Sequence, residues 1–195
     1  MKDESKSHHR RSIRVRGYDY SQAGAYFVTI CAKNREFVFG KIIDTEMRLN
    51  DTGRIVQECW NDLPSRFAGI ELDAFVTMPN HIHGIIIIVG ARLALPKAGA
   101  ASSAPTLGDI IRAFKSISAI NVNRMLSRSG QSLWQRNYYE HVIRNEKSLN
   151  KIHEYIIHNP LRWSLDRENP YRKGEDDFDH WLASFKKRPD KRKKR

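Results

Sequence analysis

At 195 residues and 40% hydrophobic content the chain is long and apolar enough for one domain with a proper core. Its longest apolar run, Ile85 to Val89, is far too short for a bilayer and the opening Met1-Lys2-Asp3-Glu4-Ser5 has no apolar leader, so neither membrane insertion nor secretion is expected and the protein is expected in the cytoplasm. The formal charge of +12 gathers at the ends, in Arg10, Arg11, Arg14 and Arg16 and in a basic tail from Lys186 to Arg195, which points to a polyanionic partner such as nucleic acid, with a purely solubilising tail as the competing reading.

Gly24 to Cys31 is β-branched and aromatic and predicts the first strand, ending at the turn-prone Lys33-Asn34-Arg35. Phe37 to Ile42 is expected to return as a short second strand, open to hairpin pairing with the first. Ile55, Val56, Cys59, Trp60 and Leu63 then recur at helical spacing after the N-cap candidates Asn50-Asp51-Thr52, and Pro64 is read as the stop. Cys31 and Cys59 lie far apart within apolar patterns, so both are expected as reduced core residues.

Ile70 to Thr77 and His81 to Val89 predict two strands joined by Met78-Pro79-Asn80. Ala91 to Pro105 is rich in Ala, Ser and Pro without periodicity and reads as a surface loop. Thr106 and Asp109 form a capping-box pattern ahead of Leu107, Ile110, Ile111, Phe114 and Ile117, which predicts a helix from about Leu107 to Met125. Leu133 to Ile143 regains strand character. Asn145 then caps a third helix carrying Leu149, Ile152 and Ile156 on its buried side, with Pro160 ending it.

This order of elements predicts an α+β fold, a ferredoxin-like (RRM-like) antiparallel sheet with helices on one face and an added C-terminal helix. The expected organisation is a basic N-terminal arm over 1–20, one domain over 21–165, and a polar and basic tail over 166–195, in which only Phe178, Trp181, Leu182 and Phe185 offer a docking segment.

Two patterns carry chemistry. His81-Ile82-His83 opens a predicted strand, where alternate side chains share a face, so both imidazoles point one way and Ile82 the other. That is half of a metal site or a pair of ordinary strand histidines. Tyr155 and Asn159 are four residues apart on the third helix and so share a face one turn apart. A nucleophile and a metal ligand fit that spacing; so do a packing tyrosine and an asparagine that finishes a helix before Pro160.

Taken in order, Met78-Pro79-Asn80-His81-Ile82-His83, Leu133 to Asn145 and Tyr155-Ile156-Ile157-His158-Asn159-Pro160 closely resemble the HUH single-tyrosine transposases, most of all the REP-associated tyrosine transposases. The segment Arg14 to Gly40 is similar too, and the resemblance covers roughly Arg11 to Trp163. It implies that His81, His83 and Asn159 hold a divalent cation and that Tyr155 attacks a phosphodiester. The products are then a 3′-hydroxyl and a 5′-phosphotyrosine on unpaired DNA beside an imperfect hairpin. Two imidazoles and an amide oxygen suit Mg²⁺ or Mn²⁺ with open coordination positions better than zinc.

The resemblance also implies a monomer or a homodimer, since insertion-sequence relatives pair a tyrosine helix with the partner's histidines. Trp134, Tyr138, Tyr139 and Arg136 are candidates for base stacking and backbone contact, with core packing the stronger reading for Trp134. Arg14, Arg16 and Arg144 are candidates for phosphate contact. His141, His153, His158 and Glu140 are candidates for assisting the tyrosine proton. The rivals are a non-catalytic RRM-like nucleic-acid module, which lacks its aromatic-glycine signature here, a strand-end His-x-His hydrolase, and a domesticated relative acting on host hairpins.

Overall fold

The computed structural model describes residues 23–89 and 105–186. The expectations for Arg14 and Arg16, for all of the Ala91 to Pro105 loop except Pro105 itself, and for the basic tail beyond Lys186 lie outside them.

Four strands form one antiparallel sheet: β1 (Gly24–Cys31), β4 (Ile70–Thr77), β5 (His81–Ile88) and β6 (Tyr139–Ile143), in the order β4-β5-β1-β6. This is the ferredoxin-like order anticipated from the sequence. β2 (Gly40–Ile43) and β3 (Glu46–Leu49) make a separate hairpin. The helices are α1 (Asp51–Asn61), α2 (Leu63–Arg66), α3 (Leu107–Met125), α4 (Glu146–His158) and α5 (Asp177–Lys186).

Helix starts follow local chemistry. Asn50 accepts from the Gly53 N–H at 2.9 Å, Thr106 and Asp109 close a reciprocal capping box, and Asn145 accepts from the Ser148 N–H at 2.8 Å.

Strand alternation sends residues to two cores. On one face Tyr26, Val28 and Ile30 of β1 and Ile82, Ile86 and Ile88 of β5 pack with Val56 and Trp60 of α1 and with Ile110, Ile111 and Phe114 of α3. On the other, Phe27, Ile85 and Ile143 pack with Ile152, Tyr155 and Ile156 of α4 and with Phe178 and Leu182 of α5. β5 is thus covered on both sides, which accounts for its nearly continuous apolar run. Gly84 is required there: a Cβ would lie 2.4 Å from the Trp60 ring, which stacks on Phe75 at 4.7 Å.

Three expectations are corrected. The return after β1 does not pair with it, because β5 and β6 occupy both edges of β1; strand structure begins at Gly40 and pairs with β3 through Asp44 and Thr45, both in left-handed conformation. Within Leu133 to Ile143 only Tyr139–Ile143 is strand. Leu133 and Trp134 are core, and Trp134 donates from its indole N–H to Ser118 Oγ at 2.9 Å. Finally, Pro64 does not stop α1; it lies in the first turn of α2, where proline's missing N–H costs nothing.

Candidate active site

The histidine pair opens β5 with its imidazoles turned away from Ile82, as alternation requires, onto the face covered by α4 and α5. Both are buried. Asn80 donates through its amide N–H groups to the carbonyls of Arg35 at 3.2 Å and Glu168 at 2.8 Å, which leaves its Oδ1 to accept from His81 Nδ1 at 2.8 Å. His81 therefore carries its proton on Nδ1 and turns a lone pair outward from Nε2. His83 Nδ1 meets Thr29 Oγ1 at 2.9 Å, and its ring stacks on Phe27. The two Nε2 atoms lie 2.9 Å apart.

From α4, Tyr155 reaches this pair within the same chain, its hydroxyl 3.3 Å from His83 Nε2. Asn159, one turn on, is buried beside it. Both donate to one acceptor, Asp166 Oδ2, the tyrosine hydroxyl at 3.0 Å and the Asn159 amide at 2.8 Å; Asp166 Oδ1 accepts from the Glu168 N–H at 2.7 Å. Asp166 Oδ2 is 3.8 Å from His81 Nε2 and 3.6 Å from His83 Nε2. Among the described residues His81, His83 and Asp166 are the histidine, cysteine and acidic groups that converge closely enough to hold a metal ion.

The electrostatics set the protonation states. Burial lowers the His81 pKa to about 4 despite the pull of Asp166, so its imidazole is neutral at pH 7. Burial pushes Asp166 up, but the histidines and the Asn159 amide outweigh it and hold the carboxyl below the usual carboxylate range. Burial, then the carboxylates of Asp166 and Asp179, raise the Tyr155 phenol well above its ordinary value, so it is protonated and donates to Asp166.

These residues fit a divalent cation. A lone pair of His81 faces His83 at 2.9 Å, which calls for a proton or a cation between them. Neighbouring ligands on an octahedral ion with bonds of about 2.1 Å stand about 3 Å apart. Asn159 Oδ1 is buried without a hydrogen-bond partner, and Asp166 adds a second hard oxygen donor.

The other sequence candidates are scattered. Arg136 and Arg144 are exposed, and Tyr138 packs partly into the α1–α3 core. His141 stacks on Trp181 and Phe185, His153 pairs with Asp73 at 2.7 Å, and His158 bonds to its own helix. Glu140 has buried carboxylate oxygens without a hydrogen-bond partner. Among the described residues none of these four bonds to Tyr155; Asp166 does.

Asp166 was not anticipated. It lies in the segment read as a polar tail, and its only sequence signal is an acid seven residues after Asn159 in Asp166-Arg167-Glu168. Glu168 is buried as well, held by Arg35 at 2.8 Å and Arg167 at 2.9 Å. α5 follows and lays Phe178 flat on the Tyr155 ring, centroids 3.7 Å apart, leaving the tyrosine 4% exposed.

No family model matches the chain. An uncharacterised protein of Haemophilus influenzae is 45% identical over 171 residues, spanning 82% of this chain and 93% of its own length. A second Haemophilus influenzae protein, provisionally named a REP-associated tyrosine transposase, is 25% identical over 150 residues, 74% of each chain. Among solved structures, a REP-associated tyrosine transposase bound to a REP hairpin superposes with a TM-score of 0.50 at 21% identity, covering 78% of this chain and 74% of that one. The fold, a four-stranded antiparallel sheet with helices, is that of this hairpin-bound transposase. The chain is thus similar in sequence and in fold to REP-associated tyrosine transposases.

Proposed function

We propose that the protein cleaves and rejoins single-stranded DNA beside hairpins through a 5′-phosphotyrosine on Tyr155, with His81, His83, Asn159 and Asp166 holding Mg²⁺ or Mn²⁺. The observation that carries this reading is the convergence, in one chain, of a tyrosine hydroxyl with two imidazole nitrogens and a carboxylate at 3.0–3.8 Å. The relative that is bound to a REP hairpin supports hairpin DNA as the substrate class.

When bound, the cation neutralises non-bridging phosphate oxygens and aligns the phosphate for in-line attack. The remaining work falls to the chain. The Tyr155 oxygen attacks phosphorus, a P–O(Tyr) bond forms and the P–O3′ bond breaks. Asp166 Oδ2 accepts the hydroxyl hydrogen bond and so polarises the O–H, the phenolic proton is lost to solvent as the P–O(Tyr) bond forms, and the departing 3′-oxygen takes a proton from water. The ester conserves the phosphodiester bond, so a later 3′-hydroxyl reverses the step without another energy source. A phosphate reaches Tyr155 only after Phe178 leaves its ring face.

Phosphate contacts along the stem are assigned to the basic arm over 1–20 and the basic tail, with the exposed Arg136 and Arg144 as lesser contributors. Among the described residues no helix is long and apolar enough to cross a membrane, and the proposed site of action is the cytoplasm. Incubation with a labelled hairpin oligonucleotide carrying an unpaired flank and Mn²⁺ is expected to give a covalent adduct on a denaturing gel. EDTA and Tyr155→Phe each abolish it; an adduct that survives Tyr155→Phe overturns the nucleophile assignment.

A further inference from the structure

An aromatic cluster continues outward from the histidine pair, and the cleavage chemistry leaves it unused. Trp163 stacks on His81 with centroids 6.1 Å apart and 27° between planes. Phe37 meets Trp163 edge-on at 5.6 Å, and Tyr171 meets Phe37 edge-on at 6.1 Å. Phe37 is 45% exposed and Tyr171 77%. Large rings left this open contribute little to a core, and a cluster of them marks a binding surface.

The fold holds this cluster in place. Phe37 follows the turn Lys33–Arg35, in which Asn34 and Arg35 both adopt φ of 56°, a conformation that non-glycine residues rarely take. Asn80, the residue before His81, fastens this turn through the Arg35 carbonyl and the opposite segment through the Glu168 carbonyl. On that segment Asn169 donates to the Trp163 carbonyl at 2.8 Å and accepts from the Tyr171 N–H at 2.9 Å. Both walls of the cluster are therefore tied to the strand end that carries the metal-ligating pair.

We propose that Phe37, Trp163 and Tyr171 form a stacking subsite for an unpaired nucleobase of single-stranded DNA next to the cleaved phosphodiester. The proposal rests on the strand-cleavage reading and adds the position where the substrate is gripped. The exposed rings of Phe37 and Tyr171 offer aromatic surface to a flat aromatic ligand. Lys33 on one wall and Lys173 on the other are exposed cations on the same two segments, suited to the phosphates on either side of a stacked base, while the exposed Arg35 and Arg172 beside them pair with Glu168 and Asp179. The cluster is also continuous with the proposed catalytic site through the Trp163–His81 stack, which puts the gripped base beside the scissile bond.

The test uses the full chain and a hairpin oligonucleotide whose unpaired flank carries 2-aminopurine at one position at a time, without added metal. One position is expected to lose fluorescence on binding, as stacking requires. Replacing that nucleotide by an abasic one weakens binding about tenfold, within the range measured for loss of one base–aromatic stack. Phe37→Leu and Tyr171→Leu each weaken binding several-fold and remove the quench, whereas Phe37→Trp retains it. Uniform fluorescence along the flank, or wild-type affinity for every abasic substitution, overturns the subsite; this arm needs no variant to fold. The adduct assay with metal separates the two readings. A quench without any adduct refutes strand cleavage and leaves the subsite standing, while an adduct formed with wild-type efficiency at limiting DNA by Phe37→Leu/Tyr171→Leu refutes the subsite alone.

Discussion

His81 is the residue whose environment makes the plainest thermodynamic statement. Its folded pKa of about 4 lies below the ordinary 6.5, so between those values the unfolded chain binds the extra proton. Stability therefore rises with pH across that window and falls as the solution is acidified through it, by about 3 kcal/mol in all. Asp166 acts in the same direction lower down, since a carboxylate held below its usual range loses its contribution as pH falls below about 4. Metal-free protein is thus expected to show a midpoint of thermal unfolding that drops steadily from pH 6.5 to pH 4, and His81→Gln flattens the upper part of that slope. A slope unchanged by the substitution contradicts a buried neutral imidazole.

Asp166 and Gly84 make separate residue-scale predictions. Asp166→Asn removes a hard anionic donor and the anionic hydrogen-bond acceptor of Tyr155, so Mn²⁺ affinity measured by calorimetry is expected to fall at least tenfold and adduct formation to slow more than that. Equal Mn²⁺ affinity in the two proteins excludes Asp166 from the ligand set. Gly84→Ala drives a methyl into the Trp60 ring and is expected to cost about 1–3 kcal/mol in chemical denaturation, with the site chemistry retained in the folded fraction.

At the scale of elements, what could be read in the sequence and what could not divide along local and non-local causes. α1, α3 and α4 begin at Asn50, Thr106 and Asn145 because each cap satisfies its own helix within three residues, a pattern visible in the chain. The facing of His81 and His83 follows from strand alternation alone, and the i,i+4 placement of Tyr155 and Asn159 from the helix alone. Asp166 was invisible because nothing local positions it: it is fixed by a histidine pair more than eighty residues away and by the side chains of α4. The β2–β3 hairpin was missed because its turn places Asp44 and Thr45 at positive φ without the glycine that usually signals such a turn.

α5 is the element whose role is most readily tested. Phe178 covers Tyr155 with a full ring stack and also packs edge-on to Phe27. Phe178→Ala is expected to lower stability by about 3–5 kcal/mol as a large buried ring is lost, yet to speed adduct formation per folded molecule by uncovering Tyr155. Slower adduct formation in the folded fraction would show that Phe178 orients the tyrosine instead of shielding it.

At the scale of the molecule, the tyrosine helix packs over the histidines of its own chain, so one copy contains every residue of the candidate site. A mixture of Tyr155→Phe and His83→Ala proteins is accordingly expected to give no adduct, because neither copy can lend its intact half to the other. Restored activity in the mixture indicates exchange of the helix between copies.

On the proposed reading Tyr155 forms the covalent bond to DNA in a metal-dependent reaction. The most direct test is to trap the adduct with Mn²⁺, digest the DNA to a short remnant and map the modified peptide by mass spectrometry. A nucleotide remnant is expected on Tyr155 and none when EDTA is present. A remnant on another residue, or one that forms equally in EDTA, contradicts this reading.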